Sequence, residues 1–217
     1  MPIDKEMYKR INDELSGEIV LVAVSKTKTP EDILALYNEG QRDFGENYVQ
    51  ELVDKRARLP EDIRWHFIGH LQTNKVKQII AFVYLIHGVD SLRLLQEINK
   101  QSAKVERVVD VLLQVHVAQE ETKFGLDAGE LEQLMDTVRG VPGDWANVHI
   151  RGLMGMASNT EDVSVLSAEF HQLNVLQKRW FPSGGILSMG MSGDYQLAVK
   201  EGSTMVRIGS LLFGKRG

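Results

Sequence analysis

A lysine at the end of a buried strand is the side chain of this sequence with the clearest chemical potential. Lys26 follows the apolar run IVLVAV at 19–24 after a single serine. An ammonium group beside a low-dielectric interior has a lowered pKa, and a nearby cation such as Arg207 would lower it further. The neutral amine attacks aldehydes and forms a Schiff base. On spacing alone, however, the favoured interpretation is a lysine that extends its amine back to water.

Glycine-rich segments in the last part of the chain predict an anion site. Eight of the 19 glycines lie within 184–217, in segments that include SMGMSGD at 188–194 and RIGS at 207–210. Such turns let the backbone approach a ligand closely, and their exposed N–H groups bind phosphate. The side chains and the turn glycine that we expect at this site are Ser188, Ser192, Gly209 and Ser210. Either loop taken alone could simply need glycine for a tight turn.

An imine-forming lysine and a phosphate site together describe the binding of a phosphorylated aldehyde. Pyridoxal 5′-phosphate (PLP) carries both groups and is the cofactor that fits best. A sugar-phosphate aldolase that works through a Schiff base also fits, without PLP.

Arg207 separates these two interpretations, because it ends a predicted inward strand and could face the pyridine nitrogen of PLP. A guanidinium group can only donate hydrogen bonds. It would keep that nitrogen unprotonated and weaken the ring as an electron sink, which favours a racemase-like reaction or simple cofactor holding over transamination. A salt bridge from Arg207 to a phosphate or carboxylate is the alternative.

Eight short apolar segments alternate with longer amphipathic ones and must position these groups. The predicted strands are 19–24, 43–44, 65–68, 82–86, 109–117, 148–152, 186–188 and 205–208. Thr29 before Pro30 and two acidic residues predicts a helix start, and Ser91 predicts another. Strands that alternate with helices form parallel sheets, and eight of them favour an α/β fold of the (β/α)8 TIM-barrel type. An extra helix at 1–16 leads the chain. An open doubly wound sheet is the alternative, but the first turn, 25–28, lacks the glycines typical of that fold.

The composition limits the classes of function that this chain can have. The chain has 217 residues, 25 Lys+Arg and 30 Asp+Glu, and 43% of its residues are hydrophobic. We expect one domain over 1–217, with no nucleic-acid partner and no polybasic membrane anchor. The absence of cysteine excludes disulfides and thiolate chemistry and fits a reducing compartment. The segment 1–16 has no apolar signal-peptide core, and the six histidines show no metal-ligand spacing, so we expect a cytoplasmic protein without a metal.

The motifs match one known family in order along nearly the whole chain. They are AVSKTK at 23–28, FGENYVQE at 44–51, WHFIGHLQTNK at 65–75, HGVDS at 87–91, KFG at 123–125, GLMGMA at 152–157, SMGMSGD at 188–194 and VRIGSLLFGKR at 206–216. With these motifs the chain resembles the pyridoxal phosphate homeostasis family, whose fold is like the N-terminal barrel of bacterial alanine racemases.

The resemblance implies roles for specific residues. Lys26 should carry PLP as a Schiff base, and Arg207 should face the pyridine nitrogen. Ser188, Ser192, Gly209 and Ser210 should hold the phosphate. Asn47 should lie near the polar edge of the ring, and Met154 or His66 should line the ring. His116 departs from the family pattern, since many relatives carry Asn ahead of the Glu-x-x-Lys-x-Gly stretch.

The resemblance also implies a function. Members of the family bind and buffer PLP, with little or no turnover, and PLP-dependent client enzymes are potential partners. Racemases add a second domain and a tyrosine from a partner subunit, whereas this chain ends after Arg216, so we expect one face of the cofactor to meet solvent. We expect a monomer or a weak homodimer. The alternative is a PLP-dependent racemase or decarboxylase, with Tyr48 or Tyr195 as the second base.

Overall fold

The computed structural model describes residues 3–120 and 124–214. Eight parallel strands form a closed barrel in sequence order, and the last strand pairs with the first. They are β1 (Val20–Val24), β2 (Asp43–Glu46), β3 (Arg64–Phe67), β4 (Leu85–Val89), β5 (Val109–Val115), β6 (Val148–Gly155), β7 (Ile186–Ser188) and β8 (Met205–Ile208). The predicted (β/α)8 barrel of TIM type is therefore confirmed. Lys123 and Arg216, which belong to the motifs above, lie outside the described residues.

Helices connect the strands around the outside of the barrel. They are α1 (Lys5–Leu15), α2 (Pro30–Asn38), α3 (Val49–Arg56), α4 (Val76–Ile79), α5 (Leu92–Lys104), α6 (Ala128–Gly140), α7 (Val163–Trp180), α8 (Tyr195–Lys200) and α9 (Ser210–Phe213). The predicted leading helix is α1, which buries Ile11 and Leu15. None of the helices in the described part of the chain is long and apolar enough to cross a bilayer.

The capping residues begin two helices where the sequence predicts. The Thr29 hydroxyl accepts a hydrogen bond from the Asp32 amide, and the Asp32 carboxylate accepts one from the Thr29 amide. Ser91 accepts from the amide of Leu94 and starts α5 in the same way. These side chains satisfy backbone donors that the first turn of a helix leaves unpaired.

The position of β4 differs from the prediction of 82–86. The amides of Phe82 and Val83 both donate to the carbonyl of Ile79, which makes them a turn after α4. The ladder to β3 begins only at Tyr84, whose amide donates to the carbonyl of Trp65. One apolar run thus contains a helix end, a turn and a strand, which periodicity alone cannot separate. As a consequence, His87 lies within the strand and not in the loop after it.

The barrel has an apolar layer outside its strands and a mixed interior. Side chains alternate along a strand, so Leu21 and Ala23 pack against the helices while Val22 points inward. The inward apolar cluster consists of Val22, Leu85, Leu112, Met154 and Met205. Buried polar side chains share this interior, namely those of Asp43, His66, His87, Ser188 and Arg207.

Candidate cofactor site

A cavity of about 480 Å³ lies where the carboxyl ends of β1 and β8 meet. It brings together five of the predicted site residues, Lys26, Ser192, Arg207, Gly209 and Ser210. The other lining residues are Val24, Lys28, Asn159, Met191, Gly193 and Gly214. The five predicted residues are up to 184 positions apart in sequence, and they meet at the mouth where barrel proteins carry their functional sites.

The turn that carries Lys26 is held from both sides. The Ser25 hydroxyl donates to Glu46 Oε1 at 2.6 Å, and the Ser25 amide donates to the carbonyl of Gly45 at 3.0 Å. On the other side, the Thr27 amide donates to Glu51 Oε2 at 2.9 Å. Thr27 has φ of 64°, a left-handed conformation that a non-glycine residue keeps only when its surroundings fix it.

A second, buried lysine supports the same turn. Lys55 is 6% exposed, and its Nζ donates to the carbonyl of Ser25 at 2.8 Å. It also donates to Glu46 Oε1 at 2.8 Å and to Glu51 Oε2 at 2.9 Å. Burial raises the pKa of Glu46 to about 7, although the charge of Lys55 and the hydrogen bonds lower it. Lys55 is not recognisable as a site residue from sequence, where its one signal is a position four residues after Glu51 on α3.

Arg207 is fixed by the strands on its own side of the barrel. Its guanidinium is buried, and Nη1 donates to the carbonyl of Ser188 at 2.9 Å and to Ser188 Oγ at 2.6 Å. Nη2 donates to the carbonyl of Gly155 at 2.9 Å. Burial lowers the pKa of Arg207 to about 10, while the charge of Asp194 raises it. The group therefore carries its positive charge at neutral pH and can only donate to a ligand.

The two glycine-containing loops contact each other at the cavity. The amide of Gly209 donates to Ser192 Oγ at 3.2 Å, which joins the loop after β7 to the loop after β8. Gly190 has φ of 96°, and a Cβ there would lie 2.7 Å from the Cβ of Ala198. Glycine is required at that position for both reasons. The carbonyl of Gly190 accepts from the amide of Arg207, so this turn is also tied to β8.

The donor set of the cavity fits a phosphorylated aldehyde with a basic ring nitrogen. Two primary amines, a charged guanidinium, two hydroxyl groups and glycine turns line one space. An amine matches the aldehyde, the guanidinium matches an acceptor nitrogen, and the hydroxyl groups and turns match the phosphate.

Comparison with known proteins assigns the family. The alanine racemase N-terminal domain family matches residues 5–217. The chain is 43% identical over 201 residues to the pyridoxal phosphate homeostasis protein of Aquifex aeolicus, and the match covers 90% of this chain and 86% of that protein. This chain belongs to the pyridoxal phosphate homeostasis family. The relative from Escherichia coli K12 is 37% identical over 206 residues, covering 92% of this chain and 86% of the relative.

Solved structures agree with the family assignment. PipY of Synechococcus elongatus has been solved with PLP bound; it is 33% identical with a TM-score of 0.86, and the match covers 96% of this chain and 99% of PipY. The PipY structure without PLP has a TM-score of 0.88 and 34% identity, with the same coverage. An alanine racemase from Clostridium difficile shares the fold, with a TM-score of 0.81 at 14% identity over 98% of this chain and 56% of the racemase.

Four residues that the family resemblance implicates lie away from the cavity wall. Ser188 is fully buried, and its hydroxyl contacts Arg207 Nη1 and His87 Nδ1, the latter at 3.1 Å. His66 is also fully buried, and Met154 belongs to the inward apolar cluster. Asn47 is half-buried, and within the described chain its Oδ1 finds no hydrogen-bond partner. Cofactor contacts by these four side chains stay predictions, and the burial of Ser188 and His66 does not favour them.

The two tyrosines considered as second bases are both placed elsewhere. The Tyr195 hydroxyl donates to Glu14 Oε2 of α1 at 2.6 Å, and burial together with this hydrogen bond raises its pKa to about 12. Tyr48 is 58% exposed and does not line the cavity. Neither side chain is positioned to exchange a proton with a ligand near Lys26.

The histidine that departs from the family pattern has a local role. His116 Nε2 donates to the carbonyl of Glu120 at 2.9 Å and so supports the loop after β5. Among residues 3–120 and 124–214, no group of three His, Asp or Glu side chains is arranged to hold a metal ion.

Proposed function

We propose that this chain binds PLP covalently through the amine of Lys26 and acts in PLP homeostasis with little or no turnover. The observation that carries the proposal is the meeting of Lys26, Arg207 and the two glycine loops in one cavity. PLP supplies an aldehyde that reacts with primary amines and a phosphate that suits those loops. The PLP-bound structure of PipY and the names of the curated relatives support it.

Each cavity residue has a role in this proposal. Lys26 is the attachment point, and the Ser25–Thr27 turn presents its amine to the cavity. Arg207 donates to the pyridine nitrogen and keeps it unprotonated, which weakens the ring as an electron sink. Ser192, Gly209 and Ser210 contact the phosphate with hydroxyl and backbone donors.

The cavity supports holding of the cofactor over catalysis on it. Racemisation and decarboxylation need a group that exchanges protons beside the lysine. Among the described residues that line the cavity there is no tyrosine, histidine or carboxylate. The relatives are named as homeostasis proteins. A racemase or decarboxylase is therefore the weaker candidate. Turnover of any amino acid in a test panel, at a rate well above that of free PLP, would support it.

Borohydride trapping tests the proposal directly. The purified chain is incubated with PLP, reduced and analysed by mass spectrometry, and fragmentation locates the modified residue. We expect one pyridoxyl phosphate adduct on Lys26, and its loss in Lys26→Ala. Lys100→Ala, on the exposed face of α5, is the matched control that should keep the adduct. An adduct on Lys28 or Lys55 would contradict the assignment, and trapping of a sugar phosphate in place of PLP would support the aldolase.

The same proposal includes partners and location. We predict that PLP-dependent client enzymes receive the cofactor. We also predict a monomer or a weak homodimer, and sedimentation at increasing protein concentration tests this oligomeric state. A cytoplasmic location is proposed because a chain without cysteine fits a reducing compartment. Fractionation of cells that produce the chain tests it.

A further inference from the structure

An unbroken chain of polar side chains runs through the barrel interior from the cofactor site to the opposite mouth. In order, it consists of Arg207, Ser188, His87, His66, Asp43 and Arg64, here called the polar chain. The hydrogen bond between His87 on β4 and Ser188 on β7 joins strands that are three positions apart in the closed barrel, so it crosses the interior. Arg64 is the most exposed of the six, with a side chain that is 47% exposed.

With both buried imidazoles neutral, the donors and acceptors of the polar chain permit one arrangement of protons; burial lowers the pKa of His66 and of His87. His66 donates from Nε2 to Asp43 Oδ1 at 3.0 Å, because a carboxylate can only accept. His66 Nδ1 then accepts from His87 Nε2 at 2.9 Å, and His87 Nδ1 accepts from the Ser188 hydroxyl at 3.1 Å. Ser188 Oγ in turn accepts from Arg207, which can only donate, at 2.6 Å. Both imidazoles are therefore of the Nε2–H tautomer.

The far end of the polar chain is anchored by charge. Asp43 accepts from Arg64 Nε at 2.7 Å and also from Arg64 Nη2. Burial raises the pKa of Asp43, but the hydrogen bonds from Arg64 and His66 outweigh it and bring the value to about 2. The carboxylate is therefore ionised at neutral pH, and it fixes the proton of His66 on the nitrogen that faces it.

The polar chain has a directional effect on the cofactor-site arginine. Because Ser188 gives its proton to His87, its hydroxyl is held in one orientation, with a lone pair turned toward Arg207. A buried cation needs such an acceptor, since an unpaired one is strongly destabilised. Apolar side chains like those of Leu85 and Leu112 would be enough to fill the interior. A buried polar network is less stable than apolar packing unless all of its members have hydrogen-bond partners, so filling space does not explain the polar chain.

We infer that Asp43, His66 and His87 are positioning residues that act through Ser188 to hold Arg207 toward the pyridine nitrogen of PLP. The inference rests on the proposed function, because it assigns these residues to the same cavity. It also extends the site: the carboxylate that orients its arginine lies near the opposite end of the barrel, at the start of β2.

PLP titration of matched variants tests the inference. Asp43→Asn should weaken PLP binding about three- to tenfold, as the loss of one oriented hydrogen bond implies. Asp110→Asn is the control, because Asp110 also pairs with an arginine and a histidine, Arg151 and His149, but has no link to Arg207. In a Ser188→Ala background, which breaks the polar chain, Asp43→Asn should have no further effect on affinity. Equal weakening by Asp43→Asn in both backgrounds, or none in the wild-type background, would overturn the inference.

A measurement on the unmodified protein covers the case in which a variant does not fold. Nitrogen-15 NMR of the histidine side chains at neutral pH should show the neutral Nε2–H tautomer at both His66 and His87. An Nδ1–H tautomer or an imidazolium at either residue would overturn the inference. If the wild-type chain shows these tautomers but binds no PLP, the proposed function fails while the polar chain stands. If it binds PLP with other tautomers, only the inference fails.

Discussion

Lys55 Nζ lies 2.8 Å from the carbonyl oxygen of Ser25, the residue that precedes Lys26. The proposed attachment turn is thus fixed by a cation from α3, and that cation is compensated by Glu46 and Glu51. The position of the Lys26 turn therefore depends on charged side chains that do not line the cavity.

Removal of the Lys55 charge should damage both stability and binding. Lys55→Met leaves Glu46 buried without its cation, and we expect the free energy of unfolding to fall by about 2–4 kcal/mol. PLP affinity should fall about tenfold or more, since the turn loses an anchor on each side. Urea unfolding and PLP titration measure the two effects. In Lys55→Met/Glu46→Gln, stability should partly recover while affinity stays low; full recovery of affinity would show that Lys55 does not position the turn.

Variants of Ser188 and Ser192 should differ in how they bind a ligand with a phosphate and one without it. Ser192→Ala should weaken binding of PLP about three- to tenfold and leave the binding of pyridoxal, which has no phosphate, almost unchanged. Ser188→Ala should weaken both ligands equally, because Ser188 contacts Arg207 and not the cavity. Parallel titrations with PLP and pyridoxal decide this. A phosphate-specific effect of Ser188→Ala would instead support the phosphate contact that the sequence predicts for this residue.

The buried histidines should make the protein acid-sensitive. Burial lowers the pKa of His66 and of His87 in the folded state, while an unfolded histidine titrates near 6.5. Below that pH the unfolded chain binds protons that the folded chain does not, so stability is complete above about 6.5 and falls with acid by about 1.4 kcal/mol per pH unit for each histidine. His66 faces Asp43, Arg64 and the Tyr84 ring, and His87 faces His66 and, through Ser188, Arg207.

Chemical unfolding at pH 7.5, 6.5 and 5.5 checks this dependence. His66→Gln should reduce the slope of the free energy of unfolding against pH by about the contribution of one histidine. His171→Gln is the control, since that side chain is 69% exposed. Glu46, whose raised pKa acts in the opposite direction, is present in all three proteins and cancels in the comparison. An unchanged slope in His66→Gln would show that this imidazole is not held neutral.

The turn after β7 should tolerate no side chain at its first glycine. Gly190→Ala combines a left-handed φ with a contact of 2.7 Å to Ala198, and we expect a loss of about 1–3 kcal/mol in the free energy of unfolding. Gly193→Ala lies in the same loop, where nothing is within 4 Å of the added carbon, and should change stability little. Thermal or urea unfolding of the two variants compares them, and equal destabilisation would contradict the argument.

The sequence predicts the fold better than the direction of individual side chains. The bounds of β7 and β8 agree with the predicted ranges, because glycine and proline punctuate that part of the chain. The meeting of Lys26 with Arg207 follows from barrel topology once eight strands are recognised. The sequence predicts Ser188 at the cavity because this residue ends a strand. An inward side chain near a strand end, however, can face either the cavity or the interior of the barrel. Only the register of β7 against β8 separates these two positions.

Hydrogen-bond partners that are far apart in sequence cannot be predicted from local patterns. The hydrogen bond from His87 to Ser188 joins residues 101 positions apart, and neither has a local pattern that marks the other. The predicted strand 82–86 also ends before His87 and so gives no sign that its imidazole points into the barrel. Lys55 was overlooked because a lysine on an amphipathic helix is usually solvated.

The pairing of β1 with β8 has a consequence for the order of events during biosynthesis. Lys26 emerges from the ribosome just after β1, but Arg207 and the Gly209 turn are translated only with β8, after the other seven strands. The cavity does not exist until the barrel closes, so a nascent chain that carries only the lysine has no pocket to retain a vitamin B6 aldehyde. Loading of the proposed cofactor therefore has to wait until β8 has been translated and has paired with β1.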